Sequence, residues 1–225
     1  MRIARYKKMQ FQYEPEQLDV RTLPAMNKED AKSLLSKMQF CTKEKGVDIF
    51  LAYGTLLGVV RDNNFINGDQ DIDTYTKDEE AFFRILPFLR SKGLVLIRYR
   101  RGVSFSFRDI EHPGCFIDVF VVKRLCNIWG LYCYSLGSHP TPKKYLKQEG
   151  EIIFNGNTYK CPQNPVNILK FWYGETWNIP IAKAEKEYTY EVSSYHFYKV
   201  KIWPIFSTIF HTVFGNKLHP LKVKD

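Results

Sequence analysis

The sequence predicts an α+β fold, a mixed β-sheet flanked by helices, on three observations. Apolar residues recur at helical spacing in two stretches of the first half; short apolar or alternating runs of strand length follow each of them; and glycine, proline and capping residues punctuate the joins. At 225 residues, 44% hydrophobic and 25% charged, the chain is long enough to bury a core of ordinary globular composition.

Residues 1–26 are mixed and polar, and read as an N-terminal extension. Asn27 caps a helix whose Ala31, Leu34, Leu35, Met38 and Cys41 share one face, and Gly46 ends it. Val47 to Tyr53 reads as a buried strand. Gly54-Thr55 then opens a short helix through Leu56, Leu57, Val59 and Val60, closed by the polar turn Asp62-Asn63-Asn64. Asp69 to Tyr75 reads as a second strand, and Thr76 with Glu79 as the capping box of the next helix. That helix presents Phe82, Phe83, Leu86 and Leu89; Pro87 should kink it and Gly93 stop it. Leu94 to Tyr99 and Val103 to Phe107 form a hairpin turned at Arg100-Arg101-Gly102, with Val103, Phe105 and Phe107 on one face and Ser104, Ser106 and Arg108 on the other. Cys115 to Val122 is a further buried strand. From about 123 the pattern weakens, until Asn164-Pro165 starts a helix through Leu169 and Trp172 that Gly174 closes. The main domain therefore spans 27–181, and 182–225 is an aromatic, basic C-terminal extension.

The net charge of +9 suits an acidic partner such as nucleic acid, anionic lipid or a phosphorylated substrate, and equally a solvated basic surface. Five cysteines without a C-x-x-C pair argue against a disulfide framework and for a reducing compartment. Met1 to Tyr13 lacks the apolar run of a signal peptide, so a cytoplasmic location is expected. Ile202 to Phe214, interrupted by Pro204 and His211, falls well short of the roughly 20 residues of a spanning helix. Residues 195–225 interleave lysines with aromatic and aliphatic residues. They suit either a closing helix or peripheral contact with the inner face of a membrane.

Asp69, Asp71 and Asp73 alternate, so on a strand their side chains leave one face, with Ile72 pointing the other way. Carboxylates that close repel unless a cation or basic groups offset them. Asp118 lies within Cys115-Phe116-Ile117-Asp118-Val119-Phe120, where an unpaired charge costs several kcal/mol, so it requires a partner. Beside the first strand it would complete a hard-oxygen site for Mg2+, with Mn2+ the alternative. Three aspartates also suit a solvated edge, and Asp118 an ion pair with an arginine such as Arg108. A calcium loop is a further rival, since Asp69, Asp71, Asp73 and Glu80 have EF-hand spacing, but Thr74 stands where glycine is demanded. Gly54-Thr55, between a strand and a helix, suits phosphate, because glycine admits close approach and helix N-terminal amides point at the ligand.

The stretches Gly54-Thr55-Leu56-Leu57-Gly58-Val59-Val60-Arg61, Phe65-Ile66, Asp69-Gln70-Asp71-Ile72-Asp73 and Phe116-Ile117-Asp118-Val119-Phe120 resemble the signature of the LicD/fukutin family. Tyr173-Gly174-Glu175-Thr176-Trp177-Asn178-Ile179-Pro180 is similar to its closing element, so the likeness covers 28–180. The resemblance implies a nucleotidyltransferase fold and an enzyme that transfers phosphocholine or a polyol phosphate from a CDP-linked donor to a glycan, releasing CMP. It also implies that Asp71, Asp73 and Asp118 are metal ligands, that Asp69 completes the catalytic carboxylates, and that Gly54 and Thr55 hold donor phosphate. Asn67, Gly68 and Gln70 depart from the family pattern, and Gln70 should project away from the metal face. Arg61 is a candidate for neutralising charge on the leaving phosphate, or a surface ion-pair residue. Trp177, with Trp172 and Tyr173, can stack on a sugar or base, or pack in the core. Two rival functions share the fold: nucleotidyl transfer to nucleic acid or a small acceptor, and binding without catalysis. The chain offers no basic helix for nucleic acid, and its intact carboxylates argue against a non-catalytic role.

Overall fold

The computed structural model describes residues 1–18, 22–128, 131–136 and 139–180, with the backbone alone at 124–128, 131–135, 139 and 140. The elements run β1 (Arg2–Tyr6), β2 (Met9–Tyr13), α1 (Lys28–Glu44), β3 (Phe50–Leu51), α2 (Tyr53–Asp62), β4 (Ile72–Thr76), α3 (Glu79–Arg84), α4 (Leu86–Ser91), β5 (Leu94–Arg100) and β6 (Ser104–Asp109). They continue with β7 (Ile117–Ile128), β8 (Leu131–Leu136), β9 (His139–Pro142), α5 (Lys143–Leu146), β10 (Glu149–Phe154), β11 (Asn157–Pro162) and α6 (Pro165–Tyr173). The main sheet has the order β10-β11-β3-β4-β7-β6-β5, with β8 joined to β7 and β9 to β8; β1 and β2 pair separately. The β11–β3 and β4–β7 pairs are parallel and the remaining pairs antiparallel, so the sheet is mixed, as expected.

The first compact unit is Met1–Leu169 and the second Lys170–Asp225. The N-terminal segment belongs to the first: the Met26 N–H donates to the Asp69 carbonyl at 2.7 Å and the Glu16 N–H to the Ile97 carbonyl at 3.0 Å. In the second, the Gly174 N–H closes α6 on the Lys170 carbonyl at 2.8 Å, with Gly174 at φ +87°. The extension expected over 182–225, including the tail read as a helix or membrane contact, lies outside the described residues. No helix among the described residues is long and apolar enough to cross a membrane.

Asn27 caps α1, its side chain accepting from the Glu29 and Asp30 N–H groups, and the expected apolar face is fully buried. Several boundaries differ from expectation. The strand after α1 is only Phe50–Leu51, because the chain turns into α2 at Tyr53. Asp78, not Thr76, caps α3: Thr76 is held in the β4 ladder opposite Val121, and Asp78 accepts from the Ala81 N–H. Pro87, lacking an N–H, splits the expected helix into α3 and α4 around Ile85. The hairpin β1–β2 and the strands β8 to β11 have no counterpart in the sequence reading, although Met9-Gln10-Phe11-Gln12-Tyr13 of β2 alternates cleanly.

Strands β4, β7, β6 and β5 have two unlike faces. On one, Ile72, Thr74, Ile117, Val119, Phe105, Phe107 and Leu96 are buried, and α3 packs there through Phe82, 4.9 Å from the Phe105 ring and 5.9 Å from that of Phe107. Helix α1 lies on the same face, where Lys37 reaches the fully buried Asp109 at 2.9 Å. The pairing of β5 with β6 slips between Leu96 and Arg98: Leu96 faces Phe107, Arg98 faces Ser106, and Ile97 is the extra residue of a bulge. Strict alternation would carry Arg98 and Arg100 after Leu94 and Leu96 into the core. The bulge sends them to the opposite face, and puts Tyr99 against Phe105 at 4.8 Å.

Candidate active site

The opposite face begins with Asp73. In register, Asp73 pairs with Asp118, Asp118 with Ser106, and Ser106 with Arg98, so one row of polar side chains crosses four adjacent strands. At about 4.8 Å per strand the row spans roughly 14 Å. The next row along the same face carries Phe120, Ser104 and Arg100.

Asp73 is fixed at both ends of its residue. Its N–H donates to Thr55 Oγ1 at 2.8 Å, and its carboxylate accepts from the Gly54 N–H at 3.0 Å. Helix α2 has no side-chain cap of its own, so the Asp73 carboxylate, brought from β4, takes up one of its free N-terminal amides. The site demands glycine at 54: a Cβ there would lie 2.7 Å from Asp69 Oδ2 and 3.2 Å from Asp73 Oδ2. Tyr53 just before it holds φ +37°, a costly conformation for a non-glycine residue and one that clusters at functional sites. Its ring meets half-buried Phe120 edge-on at 5.4 Å, and its hydroxyl donates to the Leu136 carbonyl at 2.9 Å.

Asp69 and Asp71 do not lie on the strand, as the alternation had predicted, since β4 starts only at Ile72. They enter on a turn made by Gly68 at φ +78° and by the Asp69 N–H bond to the Ile66 carbonyl at 3.3 Å. The carboxylates converge all the same. Burial first, then Asp118 and Asp69, push the Asp71 carboxyl up to about 7, against a smaller opposing effect of Arg98. Asp73 is pushed well up by burial, then by Asp71, Asp69 and Asp118, with the Gly54 N–H opposing. All three aspartates remain half-exposed, so the group is sunk in protein but open to solvent. Gln70 turns away, as expected, and donates to the Leu23 carbonyl.

Asp118 is 4% exposed and has the partner its burial required, but not the expected one. Arg98 Nη2 meets its two oxygens at 2.9 and 3.3 Å, while Arg98 Nε donates to Ser106 at 3.0 Å. Arg108 is engaged elsewhere, on Glu16 at 2.7 Å and on the Pro113 carbonyl at 2.8 Å. The EF-hand alternative is excluded by a strand over Ile72–Thr76 and by Glu80, which bonds Lys7 and Arg84 from within α3.

The remaining candidates have partners of their own. Thr55 is fully buried, its hydroxyl turned to the Asp73 backbone, which makes it a positioning residue in this arrangement. Arg61, in the last turn of α2 and about 10 Å of helix from Gly54, forms a two-pronged pair with Asp62 at 2.9 and 2.7 Å. Trp177 lies in the second unit, half-buried, its N–H bonded to the Gly174 carbonyl at 3.2 Å. Arg98, Arg100, Tyr53 and Phe120 were not singled out from sequence. The alternate serines of β6 marked a polar face, but nothing local marked the bulge that brings the arginines to it.

Among the described residues no three His, Cys, Asp or Glu side chains are already drawn together as an ion cage. The donor set nevertheless fits magnesium, which is commonly held by one or two carboxylates and completed by substrate phosphate and water. Asp71 and Asp73 are the carboxylates that burial and their acidic neighbours push up, and they are the two that would hold the ion.

The family model for LicD/FKTN/FKRP, nucleotidyltransferase domain, matches residues 46–164, more than half of the chain. The chain belongs to this family. Its match contains Gly54, all four aspartates and Arg98. No curated protein is similar enough in sequence to count as a relative. Among solved structures, the antibiotic-resistance factor ANT(2'')-Ia is similar at 12% identity and a TM-score of 0.51, over 80% of this chain and 96% of that one. The lincosamide antibiotic adenylyltransferase LnuA, lincomycin-bound, is similar at 10% identity and a TM-score of 0.45, over 70% of this chain and 92% of that one. The first likeness supports the nucleotidyltransferase fold of this LicD-family chain and nothing finer.

Proposed function

We infer that this LicD-family protein transfers a substituted phosphate, of the phosphocholine or polyol-phosphate kind, from a CDP-linked donor to a glycan hydroxyl and releases CMP. The observation that carries the reading is the convergence of Asp69, Asp71, Asp73 and Asp118 at the start of α2, where Arg98 and the Gly54 N–H offset only part of what burial and mutual repulsion impose on Asp71 and Asp73. Such an arrangement is costly to the fold, and a cation held there would offset that cost and neutralise phosphate charge.

Mg2+, or Mn2+, held by Asp71 and Asp73 would neutralise the donor diphosphate and polarise the phosphorus under attack. The acceptor hydroxyl oxygen forms the new bond to the phosphorus bearing the transferred group, as the bond from that phosphorus to the oxygen of CMP breaks. The hydroxyl proton passes to a carboxylate of the group, with Asp118 facing the same spot. Gly54 leaves room for Asp69 and the donor beside the N-terminus of α2, and Thr55 keeps Asp73 aimed at them.

The test is incubation of the full chain with CDP-linked and other nucleotide-linked donors, magnesium and a panel of glycans. Release of CMP that depends on both metal and glycan supports the reading. Release of pyrophosphate from a nucleoside triphosphate would replace it with nucleotidyl transfer, and no turnover with any donor would remove the enzymatic reading.

A further inference from the structure

Arg98 and Arg100 sit two residues apart on one strand and point to the same face. Their neighbours there are Ser106 and Ser104, both fully buried, which hold the guanidinium groups at 3.0 Å each. Packing alone does not call for this arrangement. It depends on the bulge at Ile97, which interrupts the ladder and is stitched to the N-terminal segment by the Glu16 N–H. Bulges of this kind re-aim side chains beside active sites. Neutralising Asp118 does not call for it either, since Arg98 alone does that. Arg100 has no carboxylate within salt-bridge distance among the described residues, and the charge of Arg98 beside it is unfavourable. One end of the polar row thus carries an excess of carboxylates and the other an excess of guanidinium groups.

We propose that Arg98 and Arg100 form the seat for the donor's diphosphate, and that Arg98 is parked on Asp118 until the metal and donor arrive. This rests on the metal–phosphate reading of the site above. With a cation held by Asp71 and Asp73, Asp118 would turn toward it and loosen its pair with Arg98. Phosphate oxygens then take the Arg98 Nη2 that Asp118 releases, while Nε stays on Ser106, and Arg100 meets the neighbouring phosphate. Both serines stay in place, so the forks swing on a fixed anchor.

Isothermal titration of the full chain with magnesium alone, and then with magnesium and inorganic pyrophosphate, tests this. Arg100→Met orphans no carboxylate, and Arg98→Lys keeps a cation beside Asp118 while losing the planar fork, so both should fold, as melting curves will check. Each should weaken pyrophosphate binding at least tenfold while magnesium alone binds as tightly as before, or tighter. A merely structural role would weaken both. Arg101→Gln removes the same charge one residue away, where the guanidinium lies 5.7 Å from the Tyr6 ring, and should change binding less than twofold. If the Arg98 and Arg100 variants bind within twofold of the unaltered protein, or Arg101→Gln weakens binding as much as they do, the arginine seat is wrong and the metal site stands. If the unaltered protein binds no magnesium pyrophosphate, or Asp71→Asn binds it equally well, the metal–phosphate reading falls and this inference falls with it.

Discussion

The two faces of strands β4, β7, β6 and β5 are made by the same stretches of chain and serve opposite ends. On the core face Ile72, Ile117, Val119, Phe105 and Phe107 bury apolar surface against α3. On the other, Asp73, Asp118, Ser106 and Arg98 form a polar row whose carboxylates repel. One residue of register separates them, so stability and chemistry alternate along each strand. The difference teaches that the core face must offset what the site face costs, and that substitutions on the two faces should have effects of different kinds.

The largest separation is expected from Asp71→Asn and Asp73→Asn. Each should lower kcat by at least about 10³-fold, some 4 kcal/mol of barrier, while metal-free melting temperature holds or rises because repulsion is relieved. Near-normal turnover in either variant at saturating magnesium would contradict the assignment. Phe82→Ala is the complementary break. It removes a fully buried ring from between Phe105 and Phe107, and should cost about 3–5 kcal/mol in urea unfolding. The kcat of the fraction that remains folded should change little; a large loss of kcat at full folding would mean that the two faces are not separable.

The pH dependence sharpens the same contrast. With its carboxyl pushed up to about 7, folded Asp71 keeps a proton that the unfolded chain, near pH 4, has already released. The native state therefore binds more protons in this window, and the contribution favouring the fold is lost as pH rises from about 4 to about 7. Metal-free protein should melt lower at pH 8 than at pH 5. Asp71→Asn should flatten that slope; an unchanged slope would place the repulsion elsewhere. The smallest effect is expected from Gly54→Ala. The new Cβ must push aside the Asp69 carboxylate, the free end of a side chain rather than backbone, so melting should shift little while kcat/KM falls about tenfold, or 1.4 kcal/mol. A fall in stability that outweighs the fall in activity would show that Gly54 serves the helix and not the carboxylates.

Much of this was legible in the chain itself because it depends on near neighbours. The Asn27 cap, the buried face of α1, the hairpin of β5 and β6 and the alternation of Phe105 and Phe107 with Ser104 and Ser106 follow from spacing alone. The carboxylate group was legible for the same reason, with its entry misread: three alternating aspartates look like one strand face. The turn at Gly68, held by the Met26 N–H on the Asp69 carbonyl, starts the strand at Ile72 instead. Strands β8 to β10 were missed because their residues show no clean period of two, and the alternation of β11 covers only Thr158 to Cys161.

What the sequence by itself determined is the set of groups: a family of carboxylates, a glycine that admits them, and a buried aspartate that must have a cationic partner. Which cation that would be, only the tertiary structure decided. From sequence Arg108, on the face of Ser104 and Ser106, is the candidate, and Arg98, inside the run Leu94 to Tyr99, is not singled out. A single extra residue at Ile97, in a strand that meets β7 only through β6, carries Arg98 across to Asp118, while Glu16 from the N-terminal segment claims Arg108. Register between strands is a sum of many cross-strand contacts, so a one-residue slip that reverses every following side chain leaves no trace in the local pattern.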